Sequence, residues 1–194
     1  CKYRFEKMNK LLEENQDFFI PPSINLLLRA IKHFVNSNTT KIPSFIDFGG
    51  ACGENILFLE SIFGNGIYRK SWVIETPAQV EESKKWNFSN KVNFTSDLGN
   101  VLKKNKVDIF FTSCAINYLK KPYAPLLKVV SEKVPFVILT RNNFSNNPFS
   151  FAQKSYLSSN GNGKHLNQYP DKEWDWFEFY HFKLYENENK KFKS

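Results

Sequence analysis

The sequence predicts an α/β fold built on a mainly parallel sheet with helices covering both faces. Three observations carry that prediction. Short apolar runs alternate with helical patterns between residues 23 and 141. The strand-like runs are apolar at successive positions, the mark of strands buried on both faces. A glycine-rich turn, "GGACG" at 49–53, joins one such run directly to a helical pattern. With 194 residues the chain fits one domain and can bury a sizeable core. Its parts are an N-terminal helical segment to about residue 40, a core from about 44 to 141, and a polar loop with C-terminal strands from about 142 to 194.

In chain order, "SINLLLRAIKHFV" (23–35) reads as an amphipathic helix capped by Ser23, with Ile24, Leu27, Leu28, Ile31 and Val35 on one face. Phe45–Phe48 is a short buried strand, and 54–63 a second helix. "SWVIE" (71–75) is a strand, and "PAQVEESKKW" (77–86) a helix opened by proline at its first turn. "KVNFTSD" (91–97) alternates like a strand, and "VDIFFTS" (107–113) is a strand apolar at its centre. "YAPLLKVVSEK" (123–133) is a helix, and "PFVILTR" (135–141) the most hydrophobic strand. Residues 142–172 are rich in Asn, Ser, Gly and Pro without a period, and read as a long loop. "WDWFEFYHFKLYE" (174–186) suits one or two edge strands.

Composition narrows the function classes. Hydrophobic residues make up 41% and aromatic residues 16%, which excludes a disordered chain. No apolar run reaches the roughly 18 residues of a membrane span, and no signal-peptide core opens the chain. The first residue is Cys1 rather than Met, so a preceding segment is expected to be missing. A net charge of +8 invites a nucleic-acid reading. The lysines, however, fall in scattered pairs (84–85, 103–104, 120–121, 190–191) rather than one stripe, which disfavours nucleic acid as a partner. Cys1, Cys52 and Cys114 have neither disulfide-framework nor zinc spacing, so free thiols in a reducing cytoplasm, and no metal, are expected.

The glycine turn is the strongest chemical signal. Gly49, Gly50 and Gly53 give backbone freedom and clear side chains from the mouth of a strand-to-helix turn. The N–H groups of the following helix start then face a ligand and favour a carboxylate or phosphate. A triphosphate-binding loop requires Lys and a hydroxyl residue after the last glycine, but Glu54 and Asn55 stand there. The dinucleotide pattern G-x-G-x-x-G is not matched either. Glu75 ends the next strand, 22 residues past Gly53. An acidic side chain there can accept hydrogen bonds from both hydroxyls of a ribose, as an adenosine-containing cofactor requires.

"FIDFGGACGEN" resembles the first motif of class I S-adenosylmethionine-dependent methyltransferases, apolar-apolar-Asp/Glu-x-Gly-x-Gly-x-Gly. Asp47, Gly49, Ala51 and Gly53 occupy its positions, with Ala51 replacing the middle glycine and Gly50 beside it. The resemblance implies a Rossmann-like, doubly wound fold and S-adenosyl-L-methionine as cofactor. It also implies that Glu75 binds the ribose and that Asp97 contacts the adenine edge. For that cofactor, Asp47 can accept from the methionyl ammonium, directly or through water, while turn N–H groups meet the carboxylate. Together "IDFGGACG", "WVIETP", "DIFFTSCAINYL", "VILTRNNF" and His165 with Tyr169-Pro170 are similar to a narrower methyltransferase group found with bacterial surface-polysaccharide genes. That likeness covers about residues 44–172 and implies a sugar or surface-glycan precursor as acceptor.

Ser113, a candidate cofactor contact, and Tyr118, a candidate catalytic residue, follow the fourth strand, where amino-methylating enzymes acting on bases hold an (N/D)-P-P-(F/Y) element. "NNPF" (146–149) falls after the fifth strand instead, which argues against base N-methylation. An oxygen acceptor calls for a general base. Of three histidines, His33 lies on the polar side of its helix and His181 in the aromatic C-terminal segment. His165, in the polar loop, is the candidate base, and its ordinary pKa near ~6.5 suits the role. Tyr118, Tyr169 and Arg141 are candidate contacts, Arg141 as a cation at the end of the fifth strand able to meet an acidic or phosphorylated sugar. Three alternatives stay open: an RNA or protein methyltransferase, a methyltransferase-like domain that binds the cofactor or a partner protein without catalysis, and, more distantly, a nucleotide-sugar or NAD enzyme.

Overall fold

The computed structural model describes residues 22–37, 41–64, 66–85, 92–142, 149–156 and 174–181. Ser44–Phe48 (β1), Lys70–Ile74 (β2), Val92–Thr95 (β3), Ile109–Ser113 (β4) and Phe136–Thr140 (β5) form one all-parallel sheet in the order β3-β2-β1-β4-β5. The helices are Pro22–Ser37 (α1), Glu54–Phe63 (α2), Pro77–Ser83 (α3), Leu98–Lys104 (α4) and Tyr123–Ser131 (α5). The strand order reverses between β1 and β4, the switch point at which open α/β sheets bind ligands.

Successive strand residues are buried on opposite faces, as the continuous apolar runs predict. Ile46, Trp72, Ile74 and Phe110 join Leu98, Val101 and Leu102 of α4 and Leu126 and Val129 of α5 in one core. Phe45, Val73, Ile109 and Phe111 join Ile24, Leu27 and Ile31 of α1 and Ile56, Phe58 and Leu59 of α2 in the other. Helices therefore cover both faces, and the sheet is doubly wound. Along α1 the buried stripe ends at Phe34 rather than Val35, which is exposed. The 3.6-residue period carries the stripe from Ile31 to position 34, and the Phe34 ring meets Phe136 edge-on. His33 is exposed, as expected, with its ring edge also toward Phe136.

Four expectations need correction. The strand expected over 91–97 ends at Thr95, because Asp97 turns to cap α4 and accepts from the N–H of Asn100 at 2.9 Å. Helix α4 itself escapes sequence reading because it is short and contains glycine, although Leu98, Val101 and Leu102 bury at helical spacing. Within the expected loop, Phe149–Tyr156 (β6) is a strand, paired antiparallel with Trp174–His181 (β7). The C-terminal aromatic segment thus builds a separate two-stranded sheet instead of an edge of the main one. Finally, Cys114 is a free thiol but Cys52 is disulfide-bonded, since sequence separation does not limit which thiols folding brings together.

Among the described residues no helix is long and apolar enough to cross a membrane. Near the end of β4, Thr112 is fully buried and its hydroxyl has no hydrogen-bond partner among the described residues. Thr112→Val keeps the shape and removes that desolvated group. It is expected to raise stability by about 1 kcal/mol in urea unfolding; a loss of stability would mean that the hydroxyl is satisfied.

Candidate active site

Parallel pairing brings the strand ends to one edge. Phe48 is in register with Ile74 on one side and Thr112 on the other, and Ser113 with Thr140. The next residues along each chain (Gly49, Glu75, Cys114 and Arg141) therefore emerge side by side. Asp97 follows β3 at the same edge, beyond Glu75, whose N–H donates to the carbonyl of Thr95. Asp97 is exposed, with its carboxylate engaged in the helix cap.

The glycine turn has a specific backbone. Positions 49, 51 and 53 adopt left-handed conformations, with φ of 72°, 48° and 76°. These are the alternate positions that the methyltransferase motif assigns to glycine. Ala51 holds its conformation at a cost of roughly 1 kcal/mol relative to glycine. At Gly50 the requirement is space: a Cβ there would lie 2.4 Å from a carboxylate oxygen of Asp47. The Gly53 carbonyl accepts from Ile56 and Leu57, starting α2.

Three carboxylates face this turn, Glu75, Asp47 and Glu54, the last accepting from the Cys52 N–H at 3.4 Å. Glu75 Oε1 accepts from the Ala51 N–H and Oε2 from the Thr76 N–H, both at 2.9 Å. One side chain thus ties the end of β2 to the turn after β1, and each oxygen keeps lone-pair capacity for a further donor. Asp47 is almost completely buried and accepts from Asn55 Nδ2 at 2.9 Å. Burial pushes its pKa from 3.8 up to about 7, with Glu54 and Glu75 adding repulsion and the Asn55 bond opposing. A buried carboxyl half-ionised near neutrality is primed to receive a cation, which removes the main penalty on its charge. The Gly50 N–H has no hydrogen-bond partner among the described residues. The turn therefore offers an open donor beside a cation-seeking acid, a set that matches an amino-acid headgroup.

Across the switch point, a 3-10 turn over Ala115–Tyr118 follows β4. It sits hard against the glycine turn, and β7 runs beside it. Cys114 (φ 66°) and Arg141 (φ 53°) are both left-handed although neither is glycine. With Ala51 they place three of the four such non-glycine residues among the described residues at this edge, and strain of this kind concentrates at functional sites. Arg141 is held at two points: its Nε donates to Ser113 Oγ at 2.9 Å, and its carbonyl accepts from Asn117 Nδ2 at 3.3 Å. Asn117 is fully buried. Tyr118 is half exposed, and burial, with the neighbouring Cys114 thiol, holds its phenol above the ordinary range against the pull of Arg141. It therefore stays protonated at neutral pH, with its hydroxyl engaged by the Cys114 sulfur.

Sequence reasoning named Asp47, Gly49, Gly50, Gly53, Glu75, Ser113, Tyr118 and Arg141, and the fold brings all of them to this edge. It missed Asn55 and Asn117. The visible signal for Asn117 was a lone amide inside the apolar "CAINYL". His165, Tyr169 and Asn146–Pro148 lie outside the described residues.

No family model matches the sequence, and no curated protein matches it. Among solved structures, a S-adenosylmethionine-dependent methyltransferase from Clostridium acetobutylicum is similar over 99% of this chain and 85% of its own, with a TM-score of 0.51 at 13% identity. The plantazolicin methyltransferase BamL, solved with SAH and a substrate analogue, gives a TM-score of 0.43 at 16% identity over 78% of this chain and 51% of its own. Human N-acetylserotonin methyltransferase, solved with SAM, gives 0.41 at 16% identity over 79% and 38%. The chain thus spans about half the length of the plantazolicin enzyme and less of the human one. The strand order, the helices on both faces and the full-length likeness to the clostridial structure agree: the chain has the Rossmann-like α/β fold of class I S-adenosylmethionine-dependent methyltransferases.

Proposed function

We propose that this chain is a S-adenosyl-L-methionine-dependent methyltransferase that O-methylates a sugar or surface-glycan precursor. The carrying observation is the trio of glycine turn, buried Asp47 and Glu75 at the switch point. The cofactor supplies a methyl group on a sulfonium, open to in-line attack. Glu75 accepts from the ribose hydroxyls with the oxygen capacity left by its two backbone bonds. Asp47 takes the methionyl ammonium and becomes fully ionised. The Gly50 N–H meets the methionyl carboxylate. Positioning the acceptor against the methyl then does much of the catalytic work. His165 is proposed as the base that receives the acceptor proton, Tyr169 as an acceptor contact and Asp97 as a contact to the adenine. Tyr118 is proposed as a contact to the acceptor at the same edge.

Calorimetric titration with S-adenosylmethionine, S-adenosylhomocysteine and NAD tests the reading. Micromolar binding of the first two without the third is the expected result; silence from all three would leave the turn as a mere turn. Glu75→Ala is expected to weaken S-adenosylmethionine binding by roughly 1–3 kcal/mol, because the ribose hydroxyls lose their acceptor. Unchanged affinity would remove Glu75 from the site. The net charge of +8 favours a second reading, methyl transfer to RNA. RNA binding that weakens steeply with salt and tightens when S-adenosylhomocysteine is bound would support it.

A further inference from the structure

The geometry points to an acceptor that carries an oxyanion, a carboxylate or a phosphate, received by the outer fork of the Arg141 guanidinium. The inference rests on the methyltransferase reading for what that anion belongs to. Arg141 is exposed, and no carboxylate among the described residues pairs with it. Its orientation is nonetheless set. Ser113 Oγ takes the Nε–H, Asn117 holds the carbonyl, and the backbone is kept in a left-handed turn. A solvated surface arginine needs none of these constraints.

With Nε engaged, the N–H groups on the two terminal nitrogens remain, and they form a planar fork that matches the two oxygens of a carboxylate or phosphate. The fork stands one strand beyond the switch point, so the anion sits on the acceptor side. The methionyl headgroup is instead met by Asp47 and Gly50 at the end of β1. Tyr118 lies close enough to feel the charge of Arg141.

The test titrates protein saturated with S-adenosylhomocysteine against glucuronate, glucose 6-phosphate and glucose. At least one charged sugar is expected to bind about tenfold or more tightly than glucose. The preferred one names the source of the anion. Arg141→Gln is expected to abolish the difference, and Arg141→Lys, which keeps the charge without the fork, to restore only part of it. S-adenosylhomocysteine affinity should be unchanged in both variants. Equal binding of all three sugars would overturn the inference, as would a charge preference that survives Arg141→Gln. Loss of S-adenosylhomocysteine affinity in both variants would also overturn it, since Arg141 would then hold the cofactor's own carboxylate. If S-adenosylhomocysteine fails to bind the unaltered protein while the charged sugars still bind through Arg141, the methyltransferase reading falls and the anion site stands.

Discussion

Gly49→Ala is expected to lower the melting temperature by roughly 4–20 °C, which for a chain of this size corresponds to about 2–5 kcal/mol. Two separate effects add. Gly49 has φ 72°, where an L side chain costs roughly 1–2 kcal/mol. The new Cβ would also lie 2.1 Å from the Cβ of Ala115, far inside van der Waals contact. Relieving that collision moves the end of β1 or the 3-10 turn, at an overpacking cost of about 1–3 kcal/mol. The double variant Gly49→Ala/Ala115→Gly separates the two: it should recover the steric part and leave the conformational part. A melting temperature for the single variant within 1–2 °C of the parent would mean that these two turns do not touch.

Asp47→Asn should make the protein more stable and, on the proposed function, less able to bind S-adenosylmethionine. The folded pKa of Asp47 is raised from 3.8 to about 7. A raised folded value means that the group favours folding below about pH 4, and that this contribution is lost as pH rises through about 7. Stability of the unaltered protein should therefore fall between pH 4 and 8 through this residue. Asparagine removes the dependence and still accepts from Asn55. At pH 8 the variant should be the more stable by up to roughly 4 kcal/mol, and near pH 4 the two should converge. S-adenosylmethionine affinity should drop by roughly 1.5–3 kcal/mol, the worth of a hydrogen bond to a charged group. Urea unfolding at two pH values, with calorimetry at pH 8, reads both effects. A variant no more stable at pH 8 would show that Asp47 is already ionised and satisfied without ligand. The opposition of stability and binding is what a functional acid in a dry site predicts.

The fold was legible because its signals are local. Adjacent apolar residues at the centre of five-residue strands mark two-sided burial, proline after Thr76 starts α3, and the glycines at 49, 50 and 53 mark the turn. Helix α4 and strand β6 were missed where local signals mislead. A short helix containing Gly99 and Asn100 has poor intrinsic propensity, and its buried face against the sheet outweighs that. Strand β6 is polar enough to pass for loop until its partner β7 is known.

By itself the sequence determined the sheet class, the glycine turn and two carboxylates, Asp47 within β1 and Glu75 just after β2. Those depend on neighbours along the chain, within reach of hydrophobic period and backbone preference. Only the tertiary structure decided what these groups are to one another. Burial of Asp47 beside Glu54 and Glu75 sets its charge, and Glu75 spans to Ala51 because β2 lies next to β1. Arg141 is aimed by Ser113 and Asn117, which lie 28 and 24 residues earlier in the chain. Protonation, reach and aim are properties of strand order and register, and those arise from long-range packing that no local pattern encodes.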